Sequence, residues 1–336
     1  MDLSDYARVA LGHWPTPLEH LPALSRAIGG PSVYVKRDDC SGLAFGGNKV
    51  RKLEFLMADA LRNNATTIVT MGTLQSNHPP LTAAAACRLG LKCELILEHR
   101  VAIDDEEYDL SGNVLLNKLY GAGMRVVSGG RDAAAIMQAV ADEVRRRGEI
   151  PYVIPRGGST PVGALGYVDC AREILDQANR ECLAFDYIVH ATGSAGTQAG
   201  LLVGLRAMQC ATPVIGIGVN DSQSVKAGRV LKLAVETADY LGISGIVSRE
   251  DVIANCDYVG DGYGVATRQM TEALLQVARL EALLLDPVYS GKGMAGLIDL
   301  TRKGLLTDAK NILFIHTGGT PALFAYRGQI NKGEMI

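Results

Sequence analysis

The chain lacks the features that mark several classes of protein. Its 33 lysine and arginine residues are balanced by 36 aspartate and glutamate residues, so the formal net charge is only −3. Without a cationic surplus there is no electrostatic basis for binding nucleic acid or an anionic membrane. No apolar run approaches the roughly 20 residues that a membrane-spanning helix needs, and residues 1–5 show no signal-peptide pattern. We therefore expect a cytoplasmic protein with neither a nucleic-acid nor a membrane partner.

Cysteine and histidine are present without the patterns that signal a disulfide framework or a metal centre. The seven cysteines are an odd number, and none belongs to a Cys-x-x-Cys pair. Cys87, Cys170 and Cys182 lie in helical patterns and Cys93 lies in a strand pattern, so we expect buried, reduced thiols. The six histidines are scattered, without the spacing of metal ligands, and we expect no metal site.

Two phosphate-binding fingerprints are also missing. The chain has neither the G-x-x-x-x-G-K-[ST] motif of nucleotide-binding loops nor the G-x-G-x-x-G motif of dinucleotide-binding folds, which weighs against an NAD-linked oxidoreductase. A different small-residue loop follows the predicted strand at 187–191 and precedes a predicted helix at 198–208; it consists of Gly193, Ser194, Ala195, Gly196 and Thr197. Backbone N–H groups at such a helix start can wrap a phosphate. The alternative is a tight strand–helix turn without a ligand.

Short apolar runs alternate with longer helical patterns along the whole chain. Strands are predicted at 66–71, 93–97, 124–127, 152–154, 187–190, 213–217 and 311–315, and helices at 82–89, 113–120 and 133–147. Apolar runs that do not alternate and are flanked by helices are typical of parallel strands covered on both faces. The sequence therefore predicts an α/β fold with at least one doubly wound sheet. Ligands of such folds bind outside the carboxyl ends of the strands.

Lys49 is the first candidate for chemistry. It follows Gly46, Gly47 and Asn48 at the start of a predicted helix. A flat cofactor can approach a lysine that is held on a glycine turn, and the amine can form a Schiff base if its surroundings lower its pKa. The alternative is a helix cap with a solvated lysine.

Further polar groups follow other predicted strands. Ser76, Asn77 and His78 come after the strand that ends at Met71, and three polar groups at that position need partners. Ser76 alone would be read as a helix cap. Thr317 follows the strand at 311–315 in the same way.

Two tyrosines lie in turns that could border a pocket. Tyr263 is flanked by glycines in a loop that can close over a ligand, and Tyr289 precedes Ser290 in the turn at 286–294. A tyrosine in a turn is more commonly a packing residue than a catalytic one.

Together these segments resemble the pyridoxal-phosphate (PLP) enzymes of the tryptophan synthase β type, which are known as fold type II. The segments at 46–54 and 75–78 are most similar to the subgroup of 1-aminocyclopropane-1-carboxylate (ACC) deaminase, D-cysteine desulfhydrase and L-cysteate sulfo-lyase. The resemblance extends from about residue 15 to residue 324. It implies a homodimer with an amino-acid substrate. It also implies two doubly wound open-sheet domains, with PLP in the cleft between them: residues 1–50 plus 160–336 form the large PLP-binding domain, and residues 51–159 the small one.

The resemblance also assigns roles to residues. Lys49 would form the Schiff base with PLP and move the proton at the substrate Cα, and Asn77 would contact the cofactor's 3-oxygen. Thr317 would face the pyridine nitrogen. The expected catalytic residues are Lys49, Ser76, His78, Tyr263 and Tyr289. The expected cofactor-binding residues are Lys49, Lys52, Asn77, Gly193, Ser194, Ala195, Gly196, Thr197, Ser290 and Thr317. The expected substrate-binding residues are Ser76, Asn77, His78, Arg156 and Tyr289.

Two positions discriminate between the activities of the subgroup. The deaminases typically carry Glu and Leu where this chain has Ser290 and Thr317, and the carbon–sulfur lyases resemble this chain there. The expected reaction is therefore β-elimination to pyruvate, ammonia and a sulfur anion. Arg156 can pair with a second substrate anion such as a sulfonate, which favours L-cysteate, with D-cysteine as the alternative. A surface arginine without a substrate role is the other interpretation of Arg156.

One departure from the family pattern follows the 75–78 segment. Pro79 and Pro80 stand where the family usually has a small residue and then Arg, and consecutive prolines disfavour helical backbone at His78 and Pro79. We therefore expect the helix to start one or two residues later. This departure also motivates a further alternative, a PLP-fold binding protein with impaired catalysis.

Overall fold

Ten strands form two separate sheets in the computed structural model, which describes residues 2–101, 103, 105–306 and 308–334. The strands are β1 (Leu18–His20), β2 (Ser32–Lys36), β3 (Thr67–Thr73), β4 (Lys92–His99), β5 (Gly123–Ser128), β6 (Pro151–Ile154), β7 (Tyr187–Thr192), β8 (Val214–Gly218), β9 (Ile253–Asn255) and β10 (Asn311–Ile315). The larger sheet has the order β1-β2-β10-β7-β8-β9 and the smaller one β5-β4-β3-β6. All neighbouring strands are parallel except the edge pair β1–β2.

Thirteen helices are found in the described residues. They are α1 (Pro22–Ile28), α2 (Lys49–Arg62), α3 (His78–Arg88), α4 (Glu106–Leu110), α5 (Asn113–Leu119), α6 (Ala133–Arg146), α7 (Pro161–Arg180), α8 (Gly196–Ala207), α9 (Gln223–Tyr240), α10 (Arg268–Glu281), α11 (Ser290–Arg302), α12 (Ala322–Ala325) and α13 (Arg327–Glu334). None of them is long and apolar enough to cross a membrane.

Helices cover both faces of each sheet, as the uninterrupted apolar strands predict. On β10, Leu313 and Ile315 pack with α7, α8 and α9, whereas Ile312 and Phe314 pack with α1, α10 and α11. The smaller sheet lies between α2 and α3 on one side and α6 on the other. Successive side chains of a strand point to opposite faces, so every second residue enters a different core. The predicted α/β fold with doubly wound sheets is confirmed.

The two sheets are formed by different parts of the chain. Strands β3 to β6 lie within residues 51–159, and the strands of the larger sheet lie outside that range. Helix α2 begins at the predicted boundary and packs on α7, a helix of the larger sheet. The exact division into domains stays a prediction.

The start of α3 differs from the expectation. The helix begins at His78, with both prolines in its first turn, and Asn77 before it already has helical dihedral angles (φ −69°, ψ −11°). The N–H groups of a first turn have no partner within the helix, so the prolines remove no hydrogen bond there. The Pro79 ring also packs on Gly72, where a Cβ atom would lie 2.6 Å from its Cγ. The buried contact of the Pro79 ring with Gly72 thus offsets the cost of helical backbone in the residues before each proline. The prediction that α3 starts later is wrong.

The burial of the cysteines also differs from the expectation. All seven are free, but only Cys93 and Cys170 are buried, whereas Cys40, Cys87 and Cys182 are exposed. Cys87 lies on α3 near its last turn and Cys182 follows the end of α7, so a helical pattern alone did not place these thiols in a core.

Three helices approach one another closely through glycines. A Cβ atom at Gly166 of α7 would lie 2.4 Å from the backbone of Arg51 in α2, and one at Gly200 of α8 would lie 2.4 Å from the carbonyl oxygen of Ala164. Real Cβ atoms do not reach such distances, so the contacts require glycine. The stack fixes the start of α2, which carries Lys49, relative to the start of α8.

We predict that Gly166→Ala destabilises the protein by about 1–3 kcal/mol, because the added methyl group forces α2 and α7 apart. Gly228→Ala is the matched control: Gly228 lies inside α9, and no atom lies within 4 Å of the position that a Cβ atom would take there. This control should gain about 0.5–1 kcal/mol from helix propensity. Urea unfolding measures both values, and equal effects of the two substitutions would contradict the close crossing.

Candidate active site

A cavity of about 390 Å³ lies between the carboxyl ends of strands from both sheets. Thr73 ends β3, Thr192 ends β7, and Thr317 follows β10. Most of the predicted site residues border this cavity: Lys49, Ser76, Asn77, Arg156, Gly193, Ser194, Ala195, Thr197, Tyr263, Tyr289 and Thr317. A cleft at this position is the expected ligand site of an open parallel sheet.

Lys49 is the first residue of α2 and is buried at the cavity wall. Burial lowers the pKa of its amine to about 8. The preceding turn requires glycine, because Gly46 has φ +69° and a Cβ atom there would lie 1.9 Å from the carbonyl oxygen of Asp39. At Gly47 (φ +131°) a Cβ atom would lie 3.0 Å from Asn77 Nδ2. Lys49 is therefore not the solvated cap of the alternative interpretation.

Lys52 lies one turn further along α2 and is also buried. Its pKa is lowered by burial and by the charge of Lys49. Its ammonium donates to the carbonyl oxygen of Gly157 at 3.3 Å, and within the described residues neither lysine has a carboxylate partner. Two buried lysine amines without a carboxylate partner favour an anionic ligand, since a buried amine carries its charge at little cost only beside an anion.

The 193–197 loop provides donors beside these lysines. Helix α8 starts at Gly196, where a Cβ atom would lie 2.7 Å from Lys52 Nζ, so the glycine lets the lysine amine lie against the helix start. Ser159 Oγ donates to Ser194 Oγ at 2.9 Å and accepts from the Gly196 N–H at 3.2 Å. The first-turn N–H groups of α8 that follow Gly196, small side chains and a nearby lysine match the requirements of a phosphate group. PLP therefore fits the site at both ends, by its phosphate here and by its aldehyde at Lys49.

Asn77 links the elements around this site. Its Nδ2 donates to the carbonyl oxygen of Thr317 at 3.2 Å and to Asn48 Oδ1 at 3.3 Å. Asn48 in turn donates through Nδ2 to Thr197 Oγ1 at 3.0 Å. Asn48 was not among the predicted site residues, although its position next to Lys49 in the glycine turn was a usable signal. These bonds connect α2, α3, α8 and the segment after β10.

A chain of hydroxyl groups also borders the cavity. Tyr289 OH donates to Ser76 Oγ at 3.2 Å, Tyr263 OH lies 2.5 Å from Tyr289 OH, and Thr73 Oγ1 lies 2.7 Å from Tyr263 OH. Since Tyr289 uses its proton on Ser76, it accepts from Tyr263. Burial raises the pKa of both tyrosines, so both phenols stay protonated. The tyrosines are therefore site residues with a polar function as well as a packing one.

His78 does not reach the cavity wall, contrary to the prediction of substrate contact. Its Nε2 lies 2.9 Å from Thr70 Oγ1, and Thr70 already donates its proton to the carbonyl oxygen of Ile154 at 2.7 Å. His78 therefore donates from Nε2. Burial and then the charge of Lys49 lower its pKa, so the ring is neutral. Because the first turn of α3 points this ring into the small sheet, it supports the strand ends that carry the site.

Ser290 also lies away from the cavity, contrary to its predicted contact with the cofactor. Its Oγ donates to Asp286 Oδ1 at 2.6 Å and accepts from the Asp286 N–H at 2.7 Å. The same buried carboxylate accepts the N–H groups of Val288 and Tyr289, each at 2.8 Å. Ser290 thus completes a turn that holds Tyr289, and it acts on the site only through that turn.

Arg156 borders the cavity together with Arg100, which sequence reasoning missed. Both guanidinium groups contact the same buried oxygen of Glu98, at 2.6 Å from Arg156 and 2.9 Å from Arg100. One carboxylate facing two arginines leaves one positive charge in excess at the cavity wall. Arg156 is consequently not an isolated surface arginine. The position of Arg100 directly after β4 was the available signal for it.

We predict that the buried surroundings of Lys49 set the pH dependence of PLP attachment. Only the neutral amine attacks an aldehyde, so the rate of attachment to cofactor-free protein should rise with pH through a midpoint near 8 and level off above it. Stopped-flow absorbance measures this rate, and a free amine run in parallel corrects for the titration of PLP itself. A midpoint near the ordinary lysine value of 10.5 would contradict the structure.

Known proteins support the same cofactor. Residues 9–318 match the family model described as pyridoxal-phosphate dependent enzyme. A D-cysteine desulfhydrase of Salmonella choleraesuis (strain SC-B67) is 44% identical over 328 residues, which cover 98% of each chain. An ACC deaminase of Methylobacterium nodulans is 42% identical over 336 residues, covering 98% of this chain and 100% of the relative.

Solved structures agree with this assignment. The structure of an ACC deaminase homologue has a TM-score of 0.89 and 40% identity, covering 98% of this chain and 97% of that one. A threonine deaminase from T.th. shares the fold, with a TM-score of 0.62, 21% identity and coverage of 90% of this chain and 92% of that one. The predicted family, fold type and cofactor are confirmed. The chain therefore belongs to the pyridoxal-phosphate dependent enzyme family and is a PLP-dependent lyase of the ACC deaminase and D-cysteine desulfhydrase type.

Proposed function

We propose that the chain is a carbon–sulfur lyase that removes the sulfur substituent of a cysteine-like amino acid, with L-cysteate as its preferred substrate. One molecule of L-cysteate and one of water would yield pyruvate, ammonia and sulfite. The observation that carries this choice is the sharing of the Glu98 carboxylate by Arg100 and Arg156 at the cavity wall. The positive charge left over is available for the sulfonate of the substrate.

Lys49 is the group that moves the proton. PLP, when bound, supplies the electron sink that makes the Cα–H bond of an amino acid weak enough to break. A buried lysine amine with a pKa of about 8 has a substantial neutral fraction near neutral pH, so it can accept the Cα proton once the substrate has freed it. Loss of that proton lets the Cβ–S bond break, and the sulfur leaves with the bonding electrons as sulfite.

The other site residues hold the two reactants. We assign the phosphate of PLP to Lys52 and the 193–197 loop, and its 3-oxygen to Asn77. Thr317 would face the ring nitrogen. A hydroxyl there stabilises a protonated ring less than a carboxylate would, which favours prompt loss of a β-substituent. Ser76 would donate its hydroxyl proton to the substrate carboxylate, because its oxygen accepts from Tyr289, which in turn accepts from Tyr263. Tyr289 would contact the substrate beside Ser76.

D-cysteine desulfhydrase activity is the second candidate, since relatives with that activity are 44% identical along nearly the whole chain. ACC deaminase activity has less support, although relatives of that kind are 42% identical, because Thr317 at the cavity wall is the lyase-type residue. The alternative of a non-catalytic binding protein is disfavoured, because α3 accommodates both prolines with Ser76 and Asn77 still at the wall. A homodimer, implied by the family resemblance, and a cytoplasmic location, expected from the sequence pattern, remain proposals.

We predict that Lys49→Ala removes the visible absorbance band of lysine-linked PLP and lowers turnover by about 10²–10⁴-fold, the usual contribution of a catalytic base. Lys232→Ala is the control, because that lysine is exposed on α9. A band that persists in the Lys49 variant would move the cofactor linkage to another lysine.

The substrate is tested by incubating the PLP-loaded protein with L-cysteate, D-cysteine, L-cysteine and ACC in parallel and identifying the keto acid. Pyruvate and sulfite from L-cysteate at the highest kcat/KM are expected. Pyruvate mainly from D-cysteine would establish the desulfhydrase instead, and 2-oxobutanoate from ACC would establish a deaminase. No product from any of the four would support the non-catalytic alternative.

We further predict that Arg156→Ala raises the KM for L-cysteate on the order of tenfold and changes the kinetics with D-cysteine less than threefold, since only the sulfonate uses the surplus charge. Glu98 keeps Arg100 as its partner in this variant, so folding should be preserved. Arg268→Ala, at an exposed arginine on α10, is the matched control. Equal effects on both substrates would remove the sulfonate argument.

A further inference from the structure

Lys226 is a buried lysine that neither the cavity wall nor the proposed reaction uses. It lies in the first part of α9 and is fully buried. Its ammonium donates to the carbonyl oxygen of Gly193, to Asn220 Oδ1 at 2.8 Å and to Asp221 Oδ2 at 3.3 Å. It therefore contacts the first residue of the 193–197 loop; Gly193, Asn220 and Asp221 all border the cavity, and Lys226 lies behind them.

The ammonium is only partly neutralised. Asp221 is its sole carboxylate partner within the described part of the chain, and that carboxylate also binds Arg229 at 2.7 Å. The two remaining partners are neutral oxygens, and burial lowers the pKa of Lys226. A buried ammonium that is kept despite this cost exerts its charge on the groups that it touches.

The peptide between Gly193 and Ser194 transmits this contact to the cavity. In a trans peptide the C=O and N–H bonds point in opposite directions. Because the Gly193 oxygen faces Lys226, the Ser194 N–H faces away from α9. Gly193 and Ser194 both border the cavity, whereas Lys226 does not. The contact with Lys226 thus fixes the orientation of a peptide whose two residues border the cavity.

We propose that Lys226 is a positioning residue for the cofactor phosphate. By binding the Gly193 carbonyl it keeps that oxygen turned away from the phosphate and holds the Ser194 N–H towards it. The positive charge of Lys226 beside the carbonyl oxygen also polarises the peptide, which strengthens the Ser194 N–H as a donor. The inference rests on the proposed phosphate role of the 193–197 loop.

A purely structural role would have different consequences. Lys226 also connects α9 to the turn formed by Asn220 and Asp221. If this were its only role, its replacement would weaken the binding of every ligand at the 193–197 loop. PLP and pyridoxal separate the two roles, because they share the ring and the aldehyde but only PLP carries the phosphate. Affinity for pyridoxal therefore reports the general integrity of the site.

The test titrates full-length cofactor-free protein with PLP and with pyridoxal, followed by visible absorbance. Lys226→Met should raise the dissociation constant for PLP on the order of tenfold, the size expected for losing a hydrogen bond from a charged donor. The constant for pyridoxal should change less than twofold. Lys226→Gln, which retains a neutral donor, should fall between the wild type and the methionine variant, and it preserves the test if Lys226→Met does not fold.

The matched control is Lys232→Met, at an exposed position of the same helix, which should leave both affinities unchanged. Equal losses for PLP and pyridoxal, or no loss for either, would overturn the role of Lys226. Thr197→Val tests the underlying assumption with the same two ligands. If this variant discriminates between PLP and pyridoxal and the Lys226 variants do not, only the Lys226 inference fails. If Thr197→Val fails to discriminate, the phosphate role of the 193–197 loop fails as well.

Discussion

The burial of two ammonium groups at the start of α2 is the constraint on which the site depends. Lys49 and Lys52 lie three residues apart, on one face of the helix, and neither has a carboxylate partner within the described residues. Such an arrangement is unfavourable until an anion arrives and the Lys49 amine is neutral. The same desolvation that lowers the pKa of Lys49 makes it a nucleophile and a base near neutral pH. In the proposed assignment the phosphate of PLP supplies the missing negative charge, so cofactor binding and activation of the lysine would follow from one physical cause.

The opposite face of α2 carries the paired charges that hold the helix and its two lysines in place. Arg51, between the two lysines, is buried and paired with Asp38 at 2.8 Å and Glu173 at 2.9 Å, and its guanidinium lies 4.1 Å from the centre of the Trp14 ring. Breaking a buried pair of this kind is strongly unfavourable, which holds the helix in one orientation. The glycine at position 166 lets α7 pack directly on the Arg51 backbone. Paired charges anchor one face of the helix, and unpaired charges are presented to the cofactor on the other.

Specificity is set on the remaining walls of the cavity. The small sheet contributes Glu98 and Arg100 from the end of β4, with Arg156 from the segment after β6. The large sheet contributes the turn that Asp286 and Ser290 hold under Tyr289. Substrate and cofactor therefore meet residues from both sheets. In the proposed function, the chemistry that is common to the family belongs to the lysines and the 193–197 loop, and the arginines select the leaving group.

The sequence by itself determined the α/β class, seven of the ten strands and the cofactor, because these depend on local patterns: apolar runs, small-residue turns and motifs of adjacent residues. Lys49 as the lysine that binds the cofactor stays a prediction. The sequence did not reveal that His78 and Ser290 point away from the cavity, that Arg100 and Arg156 share one carboxylate, or that Lys226 supports the 193–197 loop. It also misplaced the start of α3, where the contact of Pro79 with Gly72 outweighs local backbone preference. Only the tertiary structure decided these points, since the direction of a side chain, the pairing of its charge and its desolvation depend on residues brought together from distant parts of the chain.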